Sequence, residues 1–206
     1  DVEVIFRDGN QAELMKMFQE GSVDYMISVC SEEITDVVRT EIARERVLLA
    51  LPEHHPAIAH AYQVGNEPYP HLDVRYLDRE TFIIPVTGQS MRMTVNRIFQ
   101  QARIRPGRLI EIGHFDVIMS MVNIGLGIGF NRLGYIHDMQ KFEHVRYFFV
   151  DHEAYRSSLE LIRRKGHVIS NCERDFLDIL VKTIQSRYGM EAVGKYKDTT
   201  DTENGQ

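Results

Sequence analysis

The chain has 206 residues, 43% hydrophobic and 26% charged, a globular composition that excludes a wholly disordered or fibrous protein. Lys and Arg number 24 against 30 Asp and Glu, a net charge of -6, so the chain as a whole is a poor candidate for wrapping nucleic acid by charge alone. Two cysteines are too few for a disulfide framework, which points to a reducing, cytoplasmic compartment; no apolar run approaches the roughly 20 residues that span a bilayer, and Asp1-Val2-Glu3-Val4 lacks the regions of a signal peptide, so no membrane partner is expected.

Val2 to Arg7 is β-branched and aromatic enough for a strand, broken by Asp8-Gly9-Asn10. Asn10 with Glu13 reads as a capping box, Leu14, Met17 and Phe18 recur as on one helical face, and Gly21 stops the helix. Val23 to Ser28 is the next strand, completing a short β-α-β unit in which parallel strands and a right-handed connection are expected. Arg46 to Pro52 is a further strand. Glu53 to Glu80 is irregular, carries Pro56, Pro68 and Pro70, and is the best candidate for a link between lobes.

The centre of the chain repeats the alternation. Thr81 to Val86 is a strand and Gly88-Gln89-Ser90 a turn; Met91, Val95, Ile98, Phe99 and Ala102 form the apolar stripe of a helix that Arg105-Pro106-Gly107 ends. Arg108 to Ile112 is a strand. A helix from Phe115 carries Ile118, Met119 and Val122 on one face and stops at Gly125 and Gly127, and Ile128 to Asn131 is a short strand. This β-α-β-α-β run is one Rossmann-like lobe. Two strands follow, Val145 to Val150 and Ser158 to Arg164. A second capping box, Ser170 with Glu173, starts a helix marked by Phe176, Ile179, Leu180 and Ile184 that runs to about Arg187. The fold class is therefore α/β: two Rossmann-like lobes with a cleft between them. Residues 1–55 and 158–188 form the first lobe, 56–157 the second, and 189–206 a polar tail. The first lobe opens with fewer elements than a complete lobe of this kind.

In such sheets ligands bind beyond the carboxyl ends of strands, near helix N-termini. Those ends are Gly9-Asn10, Ser28 to Cys30, Thr87 to Met91 and Gly129 to Asn131. Thr87-Gly88-Gln89-Ser90 is either an anion-binding turn with free backbone N–H groups or an ordinary helix cap made by Thr87 or Ser90. Gly125-Leu126-Gly127-Ile128-Gly129 has the glycines of a dinucleotide loop in the wrong place. It ends a helix and enters a strand, so it reads as a tight turn and no cofactor is expected. His54, His55, His60 and His71 lack a helical metal-ligand spacing and read as a solvated loop, with no metal. Cys30 and Cys172 are a redox pair or, more simply, two reduced thiols. Arg7-Asp8, Arg44-Glu45-Arg46 and Arg163-Arg164-Lys165 read as solvated edges of elements. The chain holds no G-x-S-x-G, C-x-x-C or P-loop, which argues against an enzyme.

Taken in order, Val2 to Asn10, Gly21 to Ile27, Leu48 to Pro56, Thr81 to Pro85, Met91 to Phe99 and Gly125 to Gly129 resemble the effector-binding domain of LysR-type transcriptional regulators. Leu48-Leu49-Ala50-Leu51-Pro52-Glu53-His54-His55-Pro56 follows the family's v-x-P-x-x-H-P run. The resemblance covers about residues 1 to 186. It implies two lobes hinged by two crossing strands, as in type-two periplasmic binding proteins. It also implies a regulator that meets DNA only through an N-terminal winged helix-turn-helix outside this chain. The family's opening strand and helix, whose loop supplies part of the pocket, are absent too.

Carried over by motif, Asn10 stands where a polar residue follows the glycine after the second strand. Ser28 and Val29 stand at the cleft end of the next strand, and Gln89, Ser90 and Met91 at the second lobe's helix N-terminus. Phe130 and Asn131 stand where the family ends a strand with an apolar residue and Pro. Together with Thr87, Gly88 and Gly129, these are the expected ligand-binding residues. Some relatives hold an aromatic carboxylate with an Arg near the place of Val29. Others sense peroxide with a cysteine pair in the second lobe, where neither Cys30 nor Cys172 falls. The resemblance implies a small-molecule effector, anionic or polar, and a homodimer or tetramer paired through the edge near Val2 to Phe6 and the helix Met91 to Ala102. The alternative function is a solute-binding protein of a transport system with the same two-lobed fold.

Overall fold

A strand forms only where its backbone finds a hydrogen-bonding neighbour, and that requirement edits the expected elements in the computed structural model. The structure describes residues 3–29, 34–136, 139, 141–150, 157–187 and 191–192. Cys30 and most of the expected tail lie outside them. The chain divides into two units, Asp1–Arg44 with Ser158–Gln206, and Glu45–Ser157, and passes between them twice.

In the first unit, residues 3–7 form no strand, because no described strand lies alongside them; Ile5 and Phe6 are 60% and 73% exposed. The capping box does form: Glu13 N donates to Asn10 Oδ1 at 3.0 Å and Asn10 N to Glu13 Oε2 at 3.0 Å. It starts α1 (Gln11–Gln19), which buries Met15 and Phe18 and ends at Gly21, whose φ is 77°. β1 (Tyr25–Ser28) then pairs antiparallel with β9 (Ser157–Arg164), not in a parallel unit. With β2 (Val37–Glu45) and β10 (Glu191–Ala192) they make a sheet of order β1-β9-β2-β10. The second capping box also forms, with Ser170 N to Glu173 Oε2 at 2.7 Å and Glu173 N to Ser170 Oγ at 3.3 Å. It starts α5 (Asn171–Arg187), whose buried face is Leu177 and Val181 against Ile42 and Leu161. Phe176, Leu180 and Ile184 pack partly buried against the same cluster, as expected, while Ile179 is 65% exposed.

The second unit begins earlier than residue 56. β3 (Val47–Pro52) is central in its sheet, paired antiparallel with β7 (Gly129–Arg132) on one side and β8 (Val145–Val150) on the other. Leu48 to Leu51 are fully buried, which ties them to this unit. The segment 53–80 is irregular but is no linker. It contains two 3₁₀ turns, Pro56–His60 and Val74–Leu77, and β4 (His71–Leu72), parallel to β8; it buries Ala57, Leu72, Val74 and Leu77. Prolines report lost periodicity, and burial is a separate matter.

β5 (Thr81–Pro85) and β6 (Arg108–Ile112) pair in parallel, and Ile128 bonds along the other edge of β5 before the chain enters β7. The expected β-α-β-α-β order is thus present. α2 (Ser90–Ala102) packs Met91, Val95, Ile98 and Phe99 into the cluster that holds Phe82, Ile84 and Phe130. α3 (Phe115–Asn123) packs Ile118, Met119 and Val122 against Ile83, Ala50 and Val145. A short α4 (Leu133–Ile136) follows β7. The glycine run is a packing device: a Cβ on Gly127 would lie 2.8 Å from the Thr81 carbonyl oxygen.

Candidate functional site

The turn 87–91 does what its sequence suggests locally. Gly88 takes a φ of 94°, which only glycine adopts cheaply, and Gln89 holds the extended cap position before α2. No side chain caps this helix, unlike α1, so its first N–H groups and the positive end of its dipole remain available to an acceptor. The Gln89 amide turns aside instead, Nε2 donating to Gly113 O at 2.8 Å, which leaves Oε1 buried and without a partner among the described residues.

Ser90 is held from beneath by a pair that sequence reasoning missed. Arg132 Nη2 donates to Ser90 Oγ at 3.2 Å, and Arg132 Nη1 donates to Glu45 Oε2 at 2.6 Å. The Arg132 and Glu45 side chains are 4% and 5% exposed. Arg132 ends β7 and Glu45 ends β2, so two strand ends converge beneath the α2 N-terminus. A hydroxyl that accepts from a guanidinium through one lone pair keeps its single proton, so Ser90 is free to donate.

On the other side of the turn Arg92 joins strand ends, donating to Pro85 O at 2.9 Å and Glu111 Oε1 at 2.9 Å. Its guanidinium holds the Glu111 carboxyl below its ordinary value.

The other expected ligand residues divide. Thr87, Gly88, Gln89 and Ser90 stand together at the turn and reach its surface. Met91, Gly129 and Phe130 are core residues, with Met91 and Phe130 at 1% and 0% exposure. Asn131 is also fully buried and spends its side chain internally: Oδ1 accepts from Arg132 N at 2.8 Å and Nδ2 donates to Met139 Sδ at 3.3 Å. It is no solvent-facing polar wall. Asn10, in the first unit, is committed to its capping box, and Ser28 and Val29 are half-buried at the end of β1.

The charge clusters divide: Arg7, Asp8, Arg44 and Lys165 are exposed as expected, and the others are buried or half-buried. Glu45 is buried, and Arg46 places its guanidinium carbon 3.4 Å from the centre of the Phe149 ring and pairs with Glu67 at 3.0 Å. Arg163 is 5% exposed. Glu45 and Arg163 lie on sheet strands and face inward, while Arg46, between β2 and β3, is held by Glu67 and the Phe149 ring.

His71 is likewise buried, its Nε2 2.5 Å from Glu67 Oε2, and is not part of a solvated loop. His54 is exposed, His55 Nδ1 caps a 3₁₀ turn, and His60 stacks on Tyr76 at 4.0 Å. Among the described residues no group of three or more His, Cys, Asp or Glu could hold a metal ion. Cys172 is exposed.

Neither of two cavities is lined by the residues of this turn. One of about 540 Å³ is lined by Phe115, Ser120, Tyr135 and Phe142 in the second unit. The other, about 350 Å³, is lined by Met15, Phe18, Asp36 and Arg164 in the first. No described helix is long and apolar enough to cross a membrane.

Comparison with known proteins agrees with this architecture. A family model described as the LysR substrate binding domain matches residues 1–185. The HTH-type transcriptional regulator GltR of Bacillus subtilis (strain 168) is 25% identical over 145 residues, 70% of this chain; the chain spans about half that relative's length, 45% of it being covered. Among solved structures, the CcmR regulatory domain of Synechocystis PCC6803 in complex with 2-PG superposes with a TM-score of 0.69 at 17% identity, covering 86% of this chain and 81% of that one. The BenM effector binding domain with its effector benzoate reaches 0.73 at 15% identity, covering 92% and 82%. At such identities these two structures speak for the fold alone.

Proposed function

We propose, because this chain belongs to the LysR substrate binding domain family, that it is the effector-sensing part of a transcriptional regulator. A small molecule with a carboxylate or similar acceptor group binds at the N-terminal end of α2. Its effect on DNA binding comes from differential affinity for two states of the full-length protein, whose DNA-contacting part lies outside this chain.

The observation that carries the site is the Glu45–Arg132–Ser90 chain. It holds the Ser90 hydroxyl, with its proton free to donate, beside uncapped helix N–H groups. Glu45 offsets the charge of Arg132, so the field at the turn is that of a helix end plus neutral donors. That favours a monoanion or an oxygen-rich neutral molecule over a polyanion. Benzoate, the effector named for the BenM domain, is such a monoanion. Pairing of copies belongs to the same proposal, with the exposed Ile5 and Phe6 as its apolar contribution.

The test is a thermal-shift screen of this chain against aromatic and aliphatic monocarboxylates, amino acids and sugar phosphates. A ligand at about 100 times its Kd adds roughly 2.7 kcal/mol, which for a chain of this size is on the order of 5 to 10 °C. Ser90→Ala abolishes the shift for the carboxylate class. A ligand whose shift survives Ser90→Ala unchanged places the site elsewhere.

A further inference from the structure

The thirty residues from Thr81 to Ile110 contain five arginines and no Asp, Glu or Lys, so the other 176 residues carry a net charge of -11. Arg92 is occupied at the turn already described. The other four lie toward the opposite end of α2 and are exposed: Arg97 on the helix face, Arg103 as its left-handed C-cap at φ 58°, and Arg105 and Arg108 on the way into β6.

A rigid backbone contact brings a fifth member to that end. Arg105 N donates to Asp78 Oδ1 at 2.7 Å, Arg79 N to Arg105 O at 3.0 Å, and Gly107 N to Glu80 O at 2.9 Å. The two segments are so close that a Cβ on Gly107 would stand 2.2 Å from the Arg79 carbonyl oxygen. Arg79, Arg103, Arg105 and Arg108 are thus gathered at one end of the second unit.

Two carboxylates share this end, and only that of Asp78 is tied to the arginines; Glu80 keeps its charge, because His55 Nδ1 accepts from Ala57 N and carries no proton. Asp78 accepts the Arg105 amide and lies 3.7 Å from Arg79, and Glu80 lies 3.8 Å from His55. Among the described residues no ion pair involves Arg103, Arg105 or Arg108. The exposed positions Asn96, Gln100 and Gln101 of α2 lie on the helix that the resemblance gives to pairing of copies, so the arginine face is confined to the end beyond that helix.

We propose that this arginine face binds the phosphodiester backbone of duplex DNA, a second and weaker contact where the resemblance alone implies DNA binding only through the N-terminal part. Guanidinium forks match phosphate oxygens in pairs. An acidic protein segment would want buried apolar anchors. Apart from Leu109, the apolar residues of 95–110 are buried or half-buried. The binding is weak and independent of base sequence, because four cations on an acidic chain give only a few phosphate contacts. It becomes effective when DNA is already held by an attached DNA-binding part, which raises its local concentration; that last step rests on the regulator reading above.

The test uses the 206-residue chain alone, a short fluorescein-labelled duplex and fluorescence anisotropy over a salt series. Four phosphate contacts give a slope of log K against log salt of about -3.6. The triple variant Arg103→Gln/Arg105→Gln/Arg108→Gln lowers that slope by about 3, and Arg108→Gln alone by about 1, which covers the case of a misfolded triple. Lys16→Gln, an exposed cation in the first unit, changes nothing. The inference fails if anisotropy does not rise at the lowest salt, if the triple variant folds and binds like the parent, or if polyglutamate binds this face and the duplex does not. No effector enters the assay, so failure of the effector reading shows separately, as an empty ligand screen with DNA binding intact.

Discussion

Removing Glu45 tests the buried chain beneath α2 most directly. Arg132 and Glu45 are each about 95% buried, with charged atoms 2.6 Å apart. At an effective dielectric of about 20 and a charge separation of about 3 Å, their attraction is on the order of 5 kcal/mol, which desolvation largely offsets. The pair as a whole therefore adds little net stability. Breaking it is different, because Arg132 cannot leave: its other nitrogen is bound to Ser90, and Asn131 and Phe130 fix the strand that carries it. Glu45→Ala should cost about 3 to 5 kcal/mol, and Arg132→Ala a similar amount, each stranding a buried charge. The double variant Glu45→Leu/Arg132→Met should cost much less than the two single losses combined. Urea unfolding followed by far-UV circular dichroism measures all of them, since the chain has no Trp to report by fluorescence. If the losses add to within about 0.5 kcal/mol, the two side chains are not coupled and the account of the site is refuted.

Three further expectations follow from single features. Glu173 has its carboxyl pulled down to about 2 from 4.5, first by the Ser170 backbone N–H and then by the Ser170 hydroxyl, His167 and Tyr25. Its stabilising contribution is therefore full above 4.5 and lost as pH falls toward 2, so Glu173→Gln should be less stable than the parent at neutral pH and should converge with it across that window in an acid titration by circular dichroism. Gly127→Ala drives a Cβ against backbone at Thr81, whereas Gly129→Ala meets only side chains, the end of Met119 and, less closely, Val122 and Ile118; the first should cost about 1 to 3 kcal/mol and the second less by denaturant midpoint, and the reverse order would contradict the packing described. Phe6→Asp, at a 73% exposed site, should leave the thermal midpoint within a degree or two, for a change of about 0.5 kcal/mol, yet convert paired copies to monomers in light scattering; a parent chain already monomeric at high concentration would remove Ile5 and Phe6 from the pairing proposal.

The features legible in the amino-acid sequence are those whose partners are near in the chain. Asn10 with Glu13 and Ser170 with Glu173 interact across one helical turn, so residue type and spacing suffice to place two helix starts. The α2 stripe, the Gly88 turn and the closing glycines are similarly local, and the order of motifs carries the family. What tertiary structure alone decided depends on partners far along the chain. Val2 to Arg7 has the composition of a strand, but residues 3–7 have no ladder to join among the described residues. The segment 53–80 has the composition of a loop and still buries Leu72, Val74 and Leu77, because β8 and its core lie beside it. Glu45 and Arg132 look like surface charges in their own neighbourhoods, each with charged or polar neighbours. Only the convergence of β2, β7 and α2 brings an acid and a base 87 positions apart to 2.6 Å, and burial then makes each necessary to the other.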